Sequence, residues 1–137
     1  MQMNYEKYGE ICNIDSTYRV NLYSVPLVII GGLNNEGKNV IFGMGLINNE
    51  KEDTYIWILK EFKKLFTTMP SFWICDEDKS IIGAIKTIYP GNLILICLWH
   101  IIQNIKKHCA YLCIIDGGNE IRNLIYSLPF FKRTIEI

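Results

Sequence analysis

The sequence predicts an α/β domain built on a mixed sheet with helices against it. Three observations point there. The first fifty residues carry three strand-like segments separated by polar and turn residues, the pattern of an antiparallel meander. Beyond them the apolar period turns helical, and helical and strand-like segments alternate, which implies βα units. Half of the 137 residues are hydrophobic, enough to bury a sizeable core in one domain or a piece of one.

The elements follow in order. Residues 10–18 (EICNIDSTY) alternate Cys12 and Ile14 with Asn13 and Asp15, which predicts a strand ending near Asp15. Pro26 opens PLVIIGGL, a buried strand. Asn34-Asn35-Glu36-Gly37 supplies a turn, because Asn and Gly both tolerate positive φ. Residues 38–47 (KNVIFGMGLI) return as the third strand. From 53 to 66 the apolar positions Tyr55, Ile56, Ile58, Leu59, Phe62, Leu65 and Phe66 recur at helical spacing, with Lys60, Glu61, Lys63 and Lys64 opposite. Asp53 is the expected N-cap, and Pro70 stops the helix.

Residues 71–75 (SFWIC) form a short apolar strand that delivers Asp76. A second helix starts at Asp78 or Ser80, presents Ile81, Ile82, Ile85, Ile88 and Tyr89 on one side, and ends at Pro90-Gly91. Residues 93–98 make another buried strand, 99–107 a third helix, and 120–128 a further candidate helix before Pro129. Residues 1–9 are assigned to an N-terminal extension, 10–108 to the core, and 109–137 to a C-terminal segment that starts a helical insertion or a divergent tail. The order β-β-β-α-β-α-β-α supports an α/β fold and, alone, no function.

Composition narrows the classes. Fourteen basic and fourteen acidic residues cancel, which argues against a dedicated nucleic-acid-binding module. An enzyme acting on DNA stays open, since a carboxylate-lined metal site is itself acidic. The longest apolar runs, 25–33, 40–47 and 93–99, fall short of the ~18 residues a membrane-spanning helix needs. The start, MQMNYEKYGE, lacks the apolar stretch of a signal peptide. Five irregularly spaced cysteines then suggest reduced thiols in an intracellular compartment.

Two carboxylates stand where chemistry would need them. Asp15 closes the first strand and Asp76 the fourth, so in a sheet where those strands are neighbours the side chains converge at one edge. Converging carboxylates suit Mg²⁺, a hard ion that prefers oxygen ligands. A pair of ions ~3.5–4 Å apart clamps both the attacking and leaving oxygens of a phosphodiester. Spacing alone leaves a second reading open, in which Asp15 caps a turn and Asp76 caps the next helix.

The chain from Asp15 to Asn104 resembles a Mutator-like element (MULE) transposase domain. The motifs that carry the likeness run in uninterrupted order over about 90 residues. They are Asp15, Thr17-Tyr18, Asn21, Pro26-Leu27, Glu50 and Tyr55-Ile56-Trp57-Ile58-Leu59, then Cys75-Asp76-Glu77-Asp78, Ala84-Ile85, Tyr89-Pro90 and Cys97-Leu98-Trp99-His100 with Asn104. Each is weak alone; the ordered series is specific. The resemblance implies a ribonuclease-H-like mixed sheet and DDE-type chemistry, with Asp15 and Asp76 as the first two catalytic, metal-binding acids. It implies Mg²⁺ or Mn²⁺ as cofactor (two ions in the complete enzyme), transposon-end and target DNA as partners, a homodimer and a nuclear location. Asp78 lies in the matching stretch, with helix capping as its first role and metal association second.

Cys97 and His100 match a Cys-x-x-His motif of that family, with a structural role or a share in a Zn²⁺ site as alternatives. His108, Cys109 and Cys113 follow at irregular spacing and would complete such a zinc site. Trp99 is expected in the core or a cleft wall, and Tyr55, Trp57 and Phe62 in helix packing.

The family's third acid is a Glu further downstream. The chain runs 37 positions past His100, and neither Glu120 nor Glu136 has a family motif around it. The expectation is therefore a partial transposase core, inactive alone. The alternative is a domesticated, non-catalytic domain that associates with DNA or regulates transcription.

Overall fold

A computed structural model of the chain describes residues 2–17, 22 and 25–108. The expected helix over 120–128 lies outside them. The chain divides into two compact units, Met1–Ile96 and Cys97–Ile137.

The first unit holds helix α1 (Gln2–Tyr8), strands β1 (Ile11–Thr17), β2 (Leu27–Leu33) and β3 (Asn39–Leu46), helix α2 (Glu52–Lys64), strand β4 (Phe72–Cys75), helix α3 (Lys79–Ile88) and strand β5 (Leu93–Ile96). The second holds helix α4 (Leu98–His108). The five strands form one sheet in the order β3-β2-β1-β4-β5. The first three pair antiparallel, while β4 runs parallel to β1 and β5 parallel to β4. This is the ribonuclease-H-like mixed sheet: a meander followed by two βα units.

Local sequence explains most of these elements. The β2–β3 turn closes through Gly37 at φ 74°, with Asn34 Oδ1 accepting the N–H groups of Glu36 and Lys38 at 2.9 Å each. Between Ile30 and Gly31 the β2–β3 register shifts, pairing Ile30 with Gly43 and Gly31 with Ile41. Phe42 is thus an extra residue on β3, a β-bulge.

Helix α2 departs from expectation at its start. It begins at Glu52, and the cap position belongs to Lys51, in extended backbone and without a side-chain cap bond. Asp53 is therefore not the N-cap. It sits in the first turn, its Oδ1 accepting the N–H of Thr54 at 2.8 Å. The preceding loop is held instead by Asn49, whose Oδ1 accepts from Lys51 N at 3.0 Å and from Thr54 Oγ1 at 2.7 Å. Glu52 and Asp53 still place negative charge at the positive end of the helix dipole.

The core lies on one face of the sheet. Cys12, Ile14, Val28, Ile30, Phe42, Trp73 and Cys75 point into it from the strands. Tyr55, Leu59 and Phe62 of α2, and Ile81, Ala84, Ile85 and Ile88 of α3, cover them. Helix α1, in the segment expected only as an N-terminal extension, joins through Tyr5. Its ring packs edge-on against Phe42 and Phe62, both at 5.3 Å between centroids, and lies tilted by 31° over Phe66 at 3.9 Å.

Candidate functional site

The parallel β1–β4 ladder pairs Ile11 with Phe72, Cys12 with Trp73, and Asn13 with Ile74. Asp15 and Asp76 each stand two residues beyond that last pair. Strand alternation puts Asp15 on the face of Asn13, opposite the buried Cys12 and Ile14, and Asp76, directly after β4, follows the buried Cys75. Neighbouring strands run ~4.8 Å apart, so a register continued past the last pair would set the two acids side by side on that face. Both are half-buried.

Each acid has its own local support. Asp15 is held in the sheet on its other side, opposite Ile29 of β2. Asp76 follows the last residue of β4, and its Oδ1 accepts the N–H of Glu77 at 2.7 Å. Asp78 is the N-cap of α3, accepting from Ser80 N at 2.7 Å and Ile81 N at 3.1 Å. Its carboxylate thus satisfies two of the helix's orphan N–H groups.

Behind Asp15, on the helix-covered side, is a polar group the sequence reading did not assemble. Ser16 Oγ hydrogen-bonds Glu50 Oε1, and the Tyr55 hydroxyl donates to Ser16 Oγ at 3.1 Å and approaches Glu50 Oε1 at 3.5 Å. Burial, first, and the nearby carboxylates of Glu50 and Asp78 push the Tyr55 hydroxyl up to about 12, against the Ser16 hydrogen bond. Tyr55 was expected to pack, and its ring does. Trp57 of the same motif is half exposed and lines a hollow of about 450 Å³ with Leu46, Ile47, Asn48, Asp53 and Thr54.

In the second unit, Cys97 is a free, half-buried thiol whose carbonyl accepts the N–H of Ile101 at 3.1 Å. His100 lies in the first turn of α4, its ring edge-on to Trp99 at 4.9 Å. Trp99, expected in the core or a cleft wall, is 55% exposed. His108 ends α4, and Cys109 and Cys113, which the zinc alternative also uses, lie outside the described residues. Among the described residues no three His, Cys, Asp or Glu side chains gather in metal-binding reach. Among them, too, no helix is long and apolar enough to cross a membrane.

Comparison with known proteins adds a family. A family model of the MULE transposase domain matches residues 11–104. Protein FAR1-RELATED SEQUENCE 5 of Arabidopsis thaliana is 29% identical over 110 residues, which is 80% of this chain and 14% of that protein. Protein FAR-RED IMPAIRED RESPONSE 1 of the same plant is 22% identical over 109 residues, 79% of this chain and 13% of its own length. The chain therefore spans about one-seventh of the length of these relatives. Among solved structures, the catalytic core domain of BIV integrase is similar at 12% identity with a TM-score of 0.47, covering 75% of this chain and 70% of that one.

Proposed function

The chain belongs to the MULE transposase domain family, and on that premise we propose that Asp15 and Asp76 are the first two acids of a DDE-type site acting on DNA phosphodiesters. The observation that supports this most is register: both lie two residues past the Asn13–Ile74 pair, on the face away from the core. Caps alone would not need that coincidence, and α3 already has its cap in Asp78.

The donor set fits a hard divalent cation. Mg²⁺ is commonly held by one or two carboxylates and keeps several waters. When bound there, Mg²⁺ or Mn²⁺ neutralises charge on the phosphate and eases deprotonation of the attacking hydroxyl. The protein's part is to supply two carboxylate oxygens at fixed positions beside an open face. The reaction class is in-line attack on phosphorus, by water in cleavage and by a DNA 3′-hydroxyl in strand transfer. Transposon ends and target DNA are then the partners, a second copy holds the paired ends, and the nucleus is the location.

A DDE site works as a unit, and loss of one member removes most of its rate. No family motif surrounds Glu120 or Glu136 to mark a third acid, so the chain by itself is expected to cut DNA poorly or not at all. Incubating the purified chain with element-end DNA and Mg²⁺ or Mn²⁺ tests this. Robust cleavage that disappears in Asp76→Asn would overturn the expected inactivity and support the two-acid site.

The second reading, a domesticated domain that keeps the fold and contacts DNA or regulates transcription without cutting, is favoured by one observation. A relative covering most of this chain is named for a far-red response, not for transposition. Joining a Glu-bearing helix taken from a longer member of the family separates the two. Metal-dependent cleavage gained on joining it favours the transposase.

A further inference from the structure

We infer that Ser16, Glu50 and Tyr55 are positioning residues that hold Asp15 in register with Asp76. The inference rests on the two-acid reading above and concerns what fixes that pair.

The need for a fixing device comes from the strand pairing. The β1–β4 ladder ends at Asn13–Ile74, whereas β1 continues to Thr17. Asp15 therefore lies past the last β1–β4 ladder pair, in the part of β1 whose ladder partner is β2. Beyond a ladder's last pair its hydrogen bonds no longer set the spacing of the two strands, and a shift of about 1 Å is enough to spoil a reacting geometry.

Ser16 supplies a tie at this place. As the next residue along a strand, it faces the opposite side from Asp15, toward the helices. There its hydroxyl has both a donor and an acceptor. Tyr55 O–H donates to Ser16 Oγ at 3.1 Å, and Ser16 O–H is left to donate to Glu50 Oε1. Glu50 sits in the loop before α2 and Tyr55 in its first turns, so two points of one rigid segment grip one strand residue. A hydrogen bond to a carboxylate is about twice as strong as a neutral one.

Glu50 and Tyr55 are also motif positions of the sequence, and the core accounts for the Tyr55 ring but not for its hydroxyl or for Glu50.

Mn²⁺ binding to the full chain, followed by water-proton relaxation, tests the inference. Partners that orient metal ligands typically change affinity by roughly 10- to 100-fold when removed. That loss is expected in Ser16→Ala and in Glu50→Ala, with Ser16→Thr restoring wild-type affinity because the hydroxyl returns. Should Ser16→Ala unfold, Tyr55→Phe is the variant to measure. It keeps the ring in the core and removes only the donor, so a several-fold loss supports the inference and unchanged affinity overturns it. Unchanged affinity in folded Ser16→Ala and Glu50→Ala overturns it too, with the two-acid reading left standing.

A metal-free measurement covers the remaining case. Adjacent register positions on strands ~4.8 Å apart fall within the ~4.4–6.8 Å Cα separation that a disulfide spans. The double variant Asp15→Cys/Asp76→Cys should therefore cross-link under mild oxidation, with the 15–76 peptide pair read by mass spectrometry. If the wild-type chain takes up no Mn²⁺, the two-acid reading fails and this rate decides the positioning claim. Slower cross-linking when Ser16→Ala is added supports it, and an unchanged rate overturns it.

Discussion

On one face of the sheet Cys12, Ile14, Val28, Ile30, Phe42, Trp73 and Cys75 are buried beneath α1, α2 and α3. On the other, Asp15 and Asp76 share a surface with Ile11, Met44, Leu46, Leu93 and Leu95, each roughly half exposed. The same strands build both faces, because successive side chains point to opposite sides. Stability is concentrated on the first face and the candidate chemistry on the second. The two meet at the end of β1, where Asp15 and Ser16 are consecutive residues facing opposite ways.

The largest expected difference is in folding energy. Trp73 is fully buried, contacts Phe62 and Tyr89, and lies in the strand that delivers Asp76. Trp73→Ala should cost ~3–5 kcal/mol in a urea unfolding curve. Leu95→Ala, on the open face, should cost no more than ~0.5 kcal/mol. Equal losses would erase the distinction between the faces.

Alkaline pH should act through the covered face next. Burial pushes the Cys12 thiol up from 9.0 to about 12, and burial first of all raises Tyr55 from 10.0 to about 12. Between those limits the unfolded chain has released protons that the fold retains. Stability is therefore full below pH 9 and declines as pH rises toward 12. Cys12→Ala should remove the part of the decline that begins near pH 9 and leave the part that begins near pH 10, as read by unfolding midpoints across that range.

Smaller effects separate capping from ligation. Asp78→Ala should cost ~1 kcal/mol, the usual value of an N-cap, with Mn²⁺ affinity unchanged. A large loss of affinity would move Asp78 into the metal site. Asp53→Ala should cost ~0.5 kcal/mol at most, since it supplies charge near the helix start and no cap. A cost as large as that of Asp78→Ala would restore Asp53 as a cap.

What the sequence made legible follows from how local each signal is. The meander was visible because Cys12/Ile14, PLVIIGGL and the Asn34–Gly37 turn carry their periods within a few residues. Asp78 could be read as a cap because the signature lies within three residues of the N–H groups it satisfies. Asp76, directly after β4, was legible in the same way, whereas β1 runs two residues past the expected end at Asp15, to Thr17; the proposed pairing of the two acids comes from the resemblance. Helix α1 was not legible: QMNYEKY is short and polar, and its burial depends on Tyr5 fitting among Phe42, Phe62 and Phe66, contacts no local window contains. The start of α2 was misplaced because Asn49, outside the helical period, organises the loop that Asp53 was expected to organise. The Ser16–Glu50–Tyr55 group was hidden for the same reason, its bonds spanning 34 and 39 positions.

The most direct test of the two-acid site is Mn²⁺ titration of the wild-type chain beside Asp15→Asn and Asp76→Asn, read by the electron spin resonance of free Mn²⁺. The expected result is a saturable site in the wild-type chain that is lost in either single variant, with all three chains equally folded. Undiminished binding in either variant, or no saturable binding in the wild-type chain, would contradict it.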